Sequence, residues 1–465
     1  MKKATPIKPS KLAQLPAVLL VLILVAVPFQ AFLSVFVSSL TGHYELVRLW
    51  KDVLLLVIVS LAGAVLWRDP AIWKKLRSGW LPWAILCYVL LQLLLGALAF
   101  GKGQVNGYAL AYALVINLRP IAMFMVTWVL ALSVPWLRDN WQRLLLWPAA
   151  IVVVFGLMQV LVLPNNFLSH FGYSPATIEA YETVDNKEDY VRIQSTLRGS
   201  NPLGAYLVVV AAGLLVLLRR VRNKLNGQLV MALLLTATVL FFSYSRSAYI
   251  GLVIAVAAAI IMAVRNRREQ RWLAISLVVF ALVVGGLFAV FRNNDQLENT
   301  LFHTNEDSTS MMSSNEQRAS ALRNGLEDVT SQPFGLGPGT AGPASIHNDQ
   351  PQRIAENYYL QVGQETGWLG LGLFVSILFM IGKKLWHRRD QPLAKAMLIS
   401  LAGISFINLV QHAWTDDTLA YIWWGFAGIA MGLPVTKEPG RLLRMVTRIR
   451  QFYSTPKKPE YFNKT

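Results

Sequence analysis

The residue types that could do chemistry in this sequence are a few arginines, a glutamate and a histidine, set beside hydroxyls and turn formers. Arg192 and Arg198 stand in YVRIQSTLRGSNPLGAYL, flanked by Ser195, Thr196, Ser200 and Asn201, with Gly199 and Pro202 marking a turn before an apolar run. Guanidinium groups offer paired donors to phosphate oxygens, and a helix start adds oriented N–H groups, so this pattern suits a polyanion. Arg246 lies between Ser245 and Ser247 in FFSYSRSAYIGLVIA, at a very tight turn between two apolar runs. His347 and Glu356-Asn357 close a long polar stretch just before another apolar run. A carboxylate or an imidazole there could take a proton from a hydroxyl. Arg119, in INLRPIAMF, falls inside an apolar run, where an unpaired charge is costly and usually faces a cavity. Pro120 is expected to break that helix locally and free carbonyls to partner it. Lys51-Asp52 opens a further run, where the two charges can neutralise each other at headgroup depth.

The elements that must position these residues are apolar runs of roughly 17–25 residues, each long enough to cross a hydrocarbon core. About twelve occur, near 14–40, 49–66, 80–100, 109–134, 142–163, 202–218, 228–244, 247–264, 272–291, 358–382, 393–412 and 418–434. The expected fold class is an all-α integral membrane protein. The first run is too long for a cleaved signal and no small-residue cleavage site follows it cleanly, so it is expected to remain a span. Cys87, the one cysteine, lies in an apolar run and can make no intrachain disulfide. Trp50, Trp67, Trp73, Trp80, Trp83, Trp136, Trp141, Trp147, Trp272 and Trp414 cluster near run ends, as an interfacial belt would.

The net charge of +18 would suit nucleic acid, but its distribution decides otherwise. With Lys2, Lys3, Lys8 and Lys11 in the cytoplasm, alternation puts Arg68/Lys74/Lys75/Arg77, Arg138/Arg143, Arg219–Lys224, Arg265–Arg271, Lys383–Arg389 and the basic tail on that same side. The short connections all obey the positive-inside rule, so the excess charge is a topology and lipid-headgroup signal. Both termini are expected in the cytoplasm, and the 164–201 and 292–357 loops outside it. The chain then divides into membrane helices one to nine over 1–291, an extracytoplasmic loop over 292–357, helices ten to twelve over 358–434, and a basic tail over 435–465.

A loop of roughly 65 residues is usually functional or disordered. Here Asn315–Val329 places Ala319, Leu322 and Leu326 at helical spacing, so the loop is expected to be partly helical and to cap a catalytic cavity. PFGLGPGTAGP is a rigid-turn segment, not a dinucleotide fingerprint, because no strand precedes it. Gln361 and Glu365 repeat on the Glu356 side of the next helix, and Ser247/Gly251 and Gly367, Gly370 and Gly372 suit close helix packing. No HExxH, CxxC, Walker or DxD-like metal pattern stands on the outer side, so no metal and no cofactor are expected. A transporter or flippase of lipid-linked glycans would share the helix number, but it should carry polar residues through the full bilayer depth, whereas this chain carries them at one side.

Three features occur in a fixed order: RIQSTLRGSNPLGAYL after an outer loop, SYSRSAYIG at a tight turn, and a large loop holding PFGLGPG and ending in ENYYLQVGQETGWLGL. This combination resembles the O-antigen ligase and O-antigen polymerase superfamily, membrane glycosyltransferases of GT-C type that assemble surface polysaccharide and lipopolysaccharide. The resemblance covers most of the chain, including helix number and loop placement. It implies transfer of a glycan from an undecaprenyl-pyrophosphate carrier to an acceptor hydroxyl, at the outer face of a bacterial cytoplasmic membrane. It also implies a metal-independent reaction that inverts the anomeric centre, with outer-face arginines on the pyrophosphate. Arg192 corresponds best to the arginine before the Gly/Asn-Pro segment, with Arg198 next, and Arg246 corresponds to that of the SR turn; Arg119 is a further candidate, with Lys51 and Asn357 in support. Ligases of the family carry His-Asn where the long loop meets its following helix. Here that position reads Glu356-Asn357, with His347-Asn348 nine residues earlier. Either Glu356 is the acceptor-activating base, or His347 reaches in, or the chain follows the polymerase-like branch without the histidine.

Overall fold

The computed structural model describes residues 11–184, 187–218, 225–264 and 314–435, with 268, 271, 272 and 275 between the last two. Residues 1–433 form one compact unit and 434–465 a second. The described elements belong to the first. Helices α1 (Gln14–Ala26) and α2 (Gln30–Thr41) join through a 3-10 turn, followed by α3 (Trp50–Arg68), α4 (Trp80–Gly101), α5 (Gly107–Ser133) and α6 (Trp141–Leu161). A hairpin of β1 (Glu182–Val184) and β2 (Lys187–Arg192) leads to α7 (Ser200–Leu218), α8 (Leu225–Phe242) and α9 (Arg246–Ile261). Then come α10 (Ser314–Ser331), α11 (Tyr358–Trp386), α12 (Pro392–Val410) and α13 (Asp417–Met431). Among the described residues eight helices are long and apolar enough to cross a membrane, with α1 and α2 together counted as one, and α8 and α9 are shorter apolar ones. Helices lie at every expected run except 272–291, which falls almost wholly outside the described residues, as does the tail.

The short α13 is the axis of the bundle: every residue from Thr418 to Met431 is buried. Lipid tails are as apolar as leucine, so helices in a bilayer associate through close packing and small residues. Gly425, Gly428 and Gly432 supply this against α5, where a Cβ at Gly428 would run into Thr127 Oγ1 and the Phe124 carbonyl. Gly403 of α12 meets the Gly251 carbonyl of α9 in the same way, so Gly251 is the packing residue its spacing suggested. Arg138 donates to the Gly432 carbonyl at 2.8 Å and Arg388 to the Leu433 carbonyl at 3.0 Å, so two basic residues of the opposite end cap the α13 C-terminus.

Four expectations need correction. Pro120 does not break α5, which runs through it unbroken from Gly107 to Ser133, because neighbouring helices hold it on all sides. Gly367 is not a packing glycine; it sits at φ 65°, a kink in α11 that lets Trp368 N donate to the Pro333 carbonyl at 3.0 Å. In α10 the inner face is Gly325 and Val329, with Leu326 exposed, because the glycine admits Ala355 and Leu360 close to the helix. Trp414 is no interfacial residue: it is fully buried and packs at steep ring angles against Trp423 and Trp424, with centroids 5.1 and 5.5 Å away. Trp67, Trp80 and Trp147 do lie exposed at helix ends.

Candidate active site

Alternation of the helices brings the end of α8, the starts of α7, α9, α11 and α13, and the end of α12 to one end of the bundle. Two cavities open there. The first, of about 460 Å³, is lined by Arg192, Asn201, Tyr244, Arg246, Ser247, Glu356 and Gln411 among others. The helix α10 closes one side with Ala319 and Leu322.

Each of these residues has a local reason to be where it is. The hairpin register sets Glu182 opposite Arg192, and the pair meets at 3.6 Å. Arg192 also donates to the Ser243 carbonyl at 3.2 Å and to Asn201 Oδ1 at 2.8 Å, tying the hairpin to the α8–α9 turn and to the start of α7. Ser200 at that helix start donates to Glu182 at 2.6 Å. The turn carrying Arg246 is only Ser243-Tyr244-Ser245, and Tyr244 adopts φ 49° to make it. Glu356 sits at φ 47°, immediately before Asn357, whose side chain caps α11 by accepting from Leu360 N at 3.0 Å and donates to the Leu409 carbonyl at 2.9 Å. Ser195, between Arg192 and Arg198, has φ 52°. Among the described residues these three are the non-glycine residues with positive φ. Such strain persists where surrounding contacts over-determine it, and it clusters at functional sites.

The second cavity, of about 340 Å³, is lined by Arg48, Lys51, Arg119 and Arg198 together with Glu45, Asp52 and Asp417 and by Tyr44, Tyr108 and Tyr112. Lys51 is 2 % exposed and lies 3.3 Å from Asp52 and 3.0 Å from Asp417. Arg119 pairs with Asp417, approaches Asp52 at 3.7 Å and donates to the Thr415 carbonyl. Its partners are therefore two carboxylates and a distant carbonyl, not freed carbonyls of its own helix. Tyr421 OH donates to Asp52 at 2.9 Å. Two cations and two anions close this network on itself. Arg198 lies at the rim, 53 % exposed and 4.0 Å from Asp416.

The expected residues thus divide. Arg192, Arg246 and Glu356 share the first cavity, while Arg119, Lys51 and Arg198 line the second. His347 lines neither; its ring stands edge-on to Tyr108 and Tyr112, with centroids at 4.9 and 4.8 Å. Asn357 acts through the backbone of α11 and α12. Glu365 is buried away from both cavities, accepting from Gly339 N at 2.9 Å and Asn117 Nδ2 at 2.7 Å, so it bolts the glycine-rich loop onto α5. Glu182 carried no signal beyond being one of several acids in the 164–201 loop, and Gln411 none beyond being polar near an expected helix end. Asp417 stood out only as one of two adjacent acids.

His412 Nε2 is buried without a hydrogen-bond partner beside this site, and burial lowers the imidazole pKa to about 4. Asp416, which caps α13 by accepting from Leu419 N at 3.1 Å, has its carboxyl pushed upward by burial. Among the described residues no group of three or more His, Cys, Asp or Glu is placed to hold a metal ion.

Comparison with curated proteins gives no match. Residues 230–375, which run from α8 through the Arg246 turn, α10, the glycine-rich loop and Glu356 into α11, match the family model described as O-antigen ligase. That match supports membership of the O-antigen ligase and O-antigen polymerase superfamily.

Proposed function

We propose that this protein transfers a glycan from an undecaprenyl-pyrophosphate carrier to an acceptor hydroxyl, in surface-polysaccharide assembly. The observation that carries the reading is the convergence of Arg192, Arg246 and Glu356, from three separate segments, on one cavity. The two guanidinium groups hold the diphosphate and neutralise the charge that grows on it as the glycosidic C–O bond breaks. Glu356 takes the proton of the acceptor hydroxyl, whose oxygen attacks the anomeric carbon from the face opposite the leaving diphosphate, so the centre inverts. The step asks for no metal, since the arginines supply the positive charge. Glu356 is preferred to His347 because it lines the cavity and His347 does not. In this reading the chain spans a bacterial cytoplasmic membrane about twelve times, with both termini inside, the basic connections on the cytoplasmic side and the cavity facing outward.

Arg192→Ala and Arg246→Ala should each lower turnover about 100–1000-fold while the protein still inserts. Full activity in either removes the diphosphate site. Glu356→Gln should lower turnover roughly 100-fold or more; wild-type turnover moves the base to His347. Deletion in the native cell followed by carbohydrate gels separates the two branches. Short chains without long ones mark a polymerase, and loss of attached glycan with accumulated lipid-linked glycan marks a ligase.

A further inference from the structure

The second cavity is not used by the reaction as drawn, yet it is assembled before any ligand arrives. Asn106 Nδ2 donates to the His347 carbonyl at 2.8 Å, Asn106 N donates to Asn348 Oδ1 at 3.1 Å, and Asn348 Nδ2 donates to the Gln104 carbonyl at 3.0 Å. This pins the end of the long loop to the start of α5 and seats the His347 ring against two tyrosines one helical turn apart. The Tyr108 and Tyr112 rings lie 6.4 Å apart and within 28° of parallel. Arg48 Nη2 donates to Tyr112 OH at 2.9 Å, and its guanidinium stands 5.4 Å from the same ring. Tyrosines at span ends often only anchor a helix in headgroups. Here one ring is fixed by an arginine, both are buttressed by a histidine, and both line a cavity whose floor carries charge.

Three ligand chemistries compete for such a space. A polyanion needs positive charge not already spent; Lys51 and Arg119 are neutralised by Asp52 and Asp417, Arg48 is paired with Glu45 at 3.4 Å, and Arg198 stands at the rim 4.0 Å from Asp416. A hydrocarbon chain would have to cover Arg48, Glu45 and the network below and strip water from them, which is strongly unfavourable. A sugar ring matches both halves: its C–H face suits the tyrosine rings, and its hydroxyls suit Arg48, Glu45 and the tyrosine hydroxyls. Location agrees with this. The segments 192–201, 343–356 and 409–417 each contribute to both cavities, through Arg192 and Arg198, Glu356 and Pro343, and Gln411 and Asp417. No residue lines both cavities, but these three segments run from the lining of one to the lining of the other, the arrangement a glycan of more than one sugar would need.

We propose that the second cavity is a saccharide subsite, in which Tyr108 and Tyr112 hold one sugar ring of a substrate glycan. It rests on the transfer reaction above and adds a residue set that selects the glycan without touching the reacting atoms. The experiment uses full-length protein in nanodiscs, lipid-linked glycan extracted from the native cell as donor, and acceptor prepared from a deletion strain. Each substrate is titrated with the other saturating. Tyr108 is 56 % exposed, so Tyr108→Ala leaves the bundle intact. It should raise KM about ten-fold for one substrate with kcat unchanged, the size expected of one lost pocket contact, and the arm that moves identifies donor or acceptor glycan. Tyr108→Phe, which keeps the ring and loses only the hydroxyl, should raise KM less than Tyr108→Ala. Saturation-transfer NMR with the repeat-unit oligosaccharide released by mild acid should give a signal that Tyr108→Ala loses. Unchanged KM in both arms overturns the proposal, as does weaker competition by glycan-free undecaprenyl diphosphate in the variant, which would make the cavity a lipid site. If wild-type protein transfers nothing while the oligosaccharide signal is present and lost in Tyr108→Ala, the transfer reading fails and the subsite stands.

Discussion

Replacing Asp417 by Asn would leave two buried cations to share one carboxylate. Asp417 lies 3.0 Å from Lys51 and also pairs with Arg119, while Asp52 reaches those cations only at 3.3 and 3.7 Å. Lys51 and Arg119 side chains are 2 % and 6 % exposed, so water cannot take over the lost role. Breaking a buried pair by removing one partner costs about 3–5 kcal/mol. The Asp417 side chain keeps 23 % exposure, which puts the expected loss near the lower end, about 3 kcal/mol. Removing a cation as well restores neutrality around Arg119 and Asp52. Lys51→Met combined with Asp417→Asn should therefore cost less than the sum of the single changes, by about 2 kcal/mol. Equilibrium unfolding of the purified protein in mixed micelles, followed by tryptophan fluorescence, measures all three variants. A loss below about 1 kcal/mol for Asp417→Asn, or strict additivity of the pair, would refute the reasoning that this is a closed and desolvated network.

Two further outcomes are open to direct measurement. His412 has its folded pKa lowered from 6.5 to about 4, so the unfolded chain binds a proton that the folded one refuses. Stability should be intact above pH 6.5 and be lost as pH falls toward 4, by about 3 kcal/mol in total; His412→Gln should flatten that part of the unfolding profile, and an unchanged profile excludes the histidine as its cause. Gly428→Ala should destabilise by about 1–3 kcal/mol, because its methyl group meets Thr127 and Phe124 of α5. Gly372→Ala, with nothing near its added Cβ, should not destabilise in the same unfolding assay and should gain up to about 1 kcal/mol from helix propensity.

The membrane class and the helix positions follow from local pattern alone. Apolar length and the sidedness of Lys and Arg are properties of short windows, which is why helices fall at nearly every expected run. Caps and turns were equally local: the Gly199-Ser200 start of α7 and the tight Arg246 turn stand where their residue types indicate. Arg192 and Arg246 were legible as chemistry-bearing groups because they stand on the side that the positive-inside rule leaves poor in basic residues, and Glu356 because it stands where the long loop meets a helix.

What the sequence by itself determined, then, is which residues lie at one end of a helical membrane bundle. Only the tertiary structure decided how those residues pair. Lys51 and Arg119 meet Asp417 from a helix near the other end of the chain, and that partner makes them a neutral network, not free cations. His347 is drawn to Tyr108 and Tyr112 by the anchoring of its loop on Asn106, which leaves Glu356 at the arginine cavity. The physical reason is the same in both cases. A charge or a ring takes its role from its nearest neighbours, and in a bundle of this kind those neighbours come from helices far apart in the chain, beyond any periodicity a short window can carry.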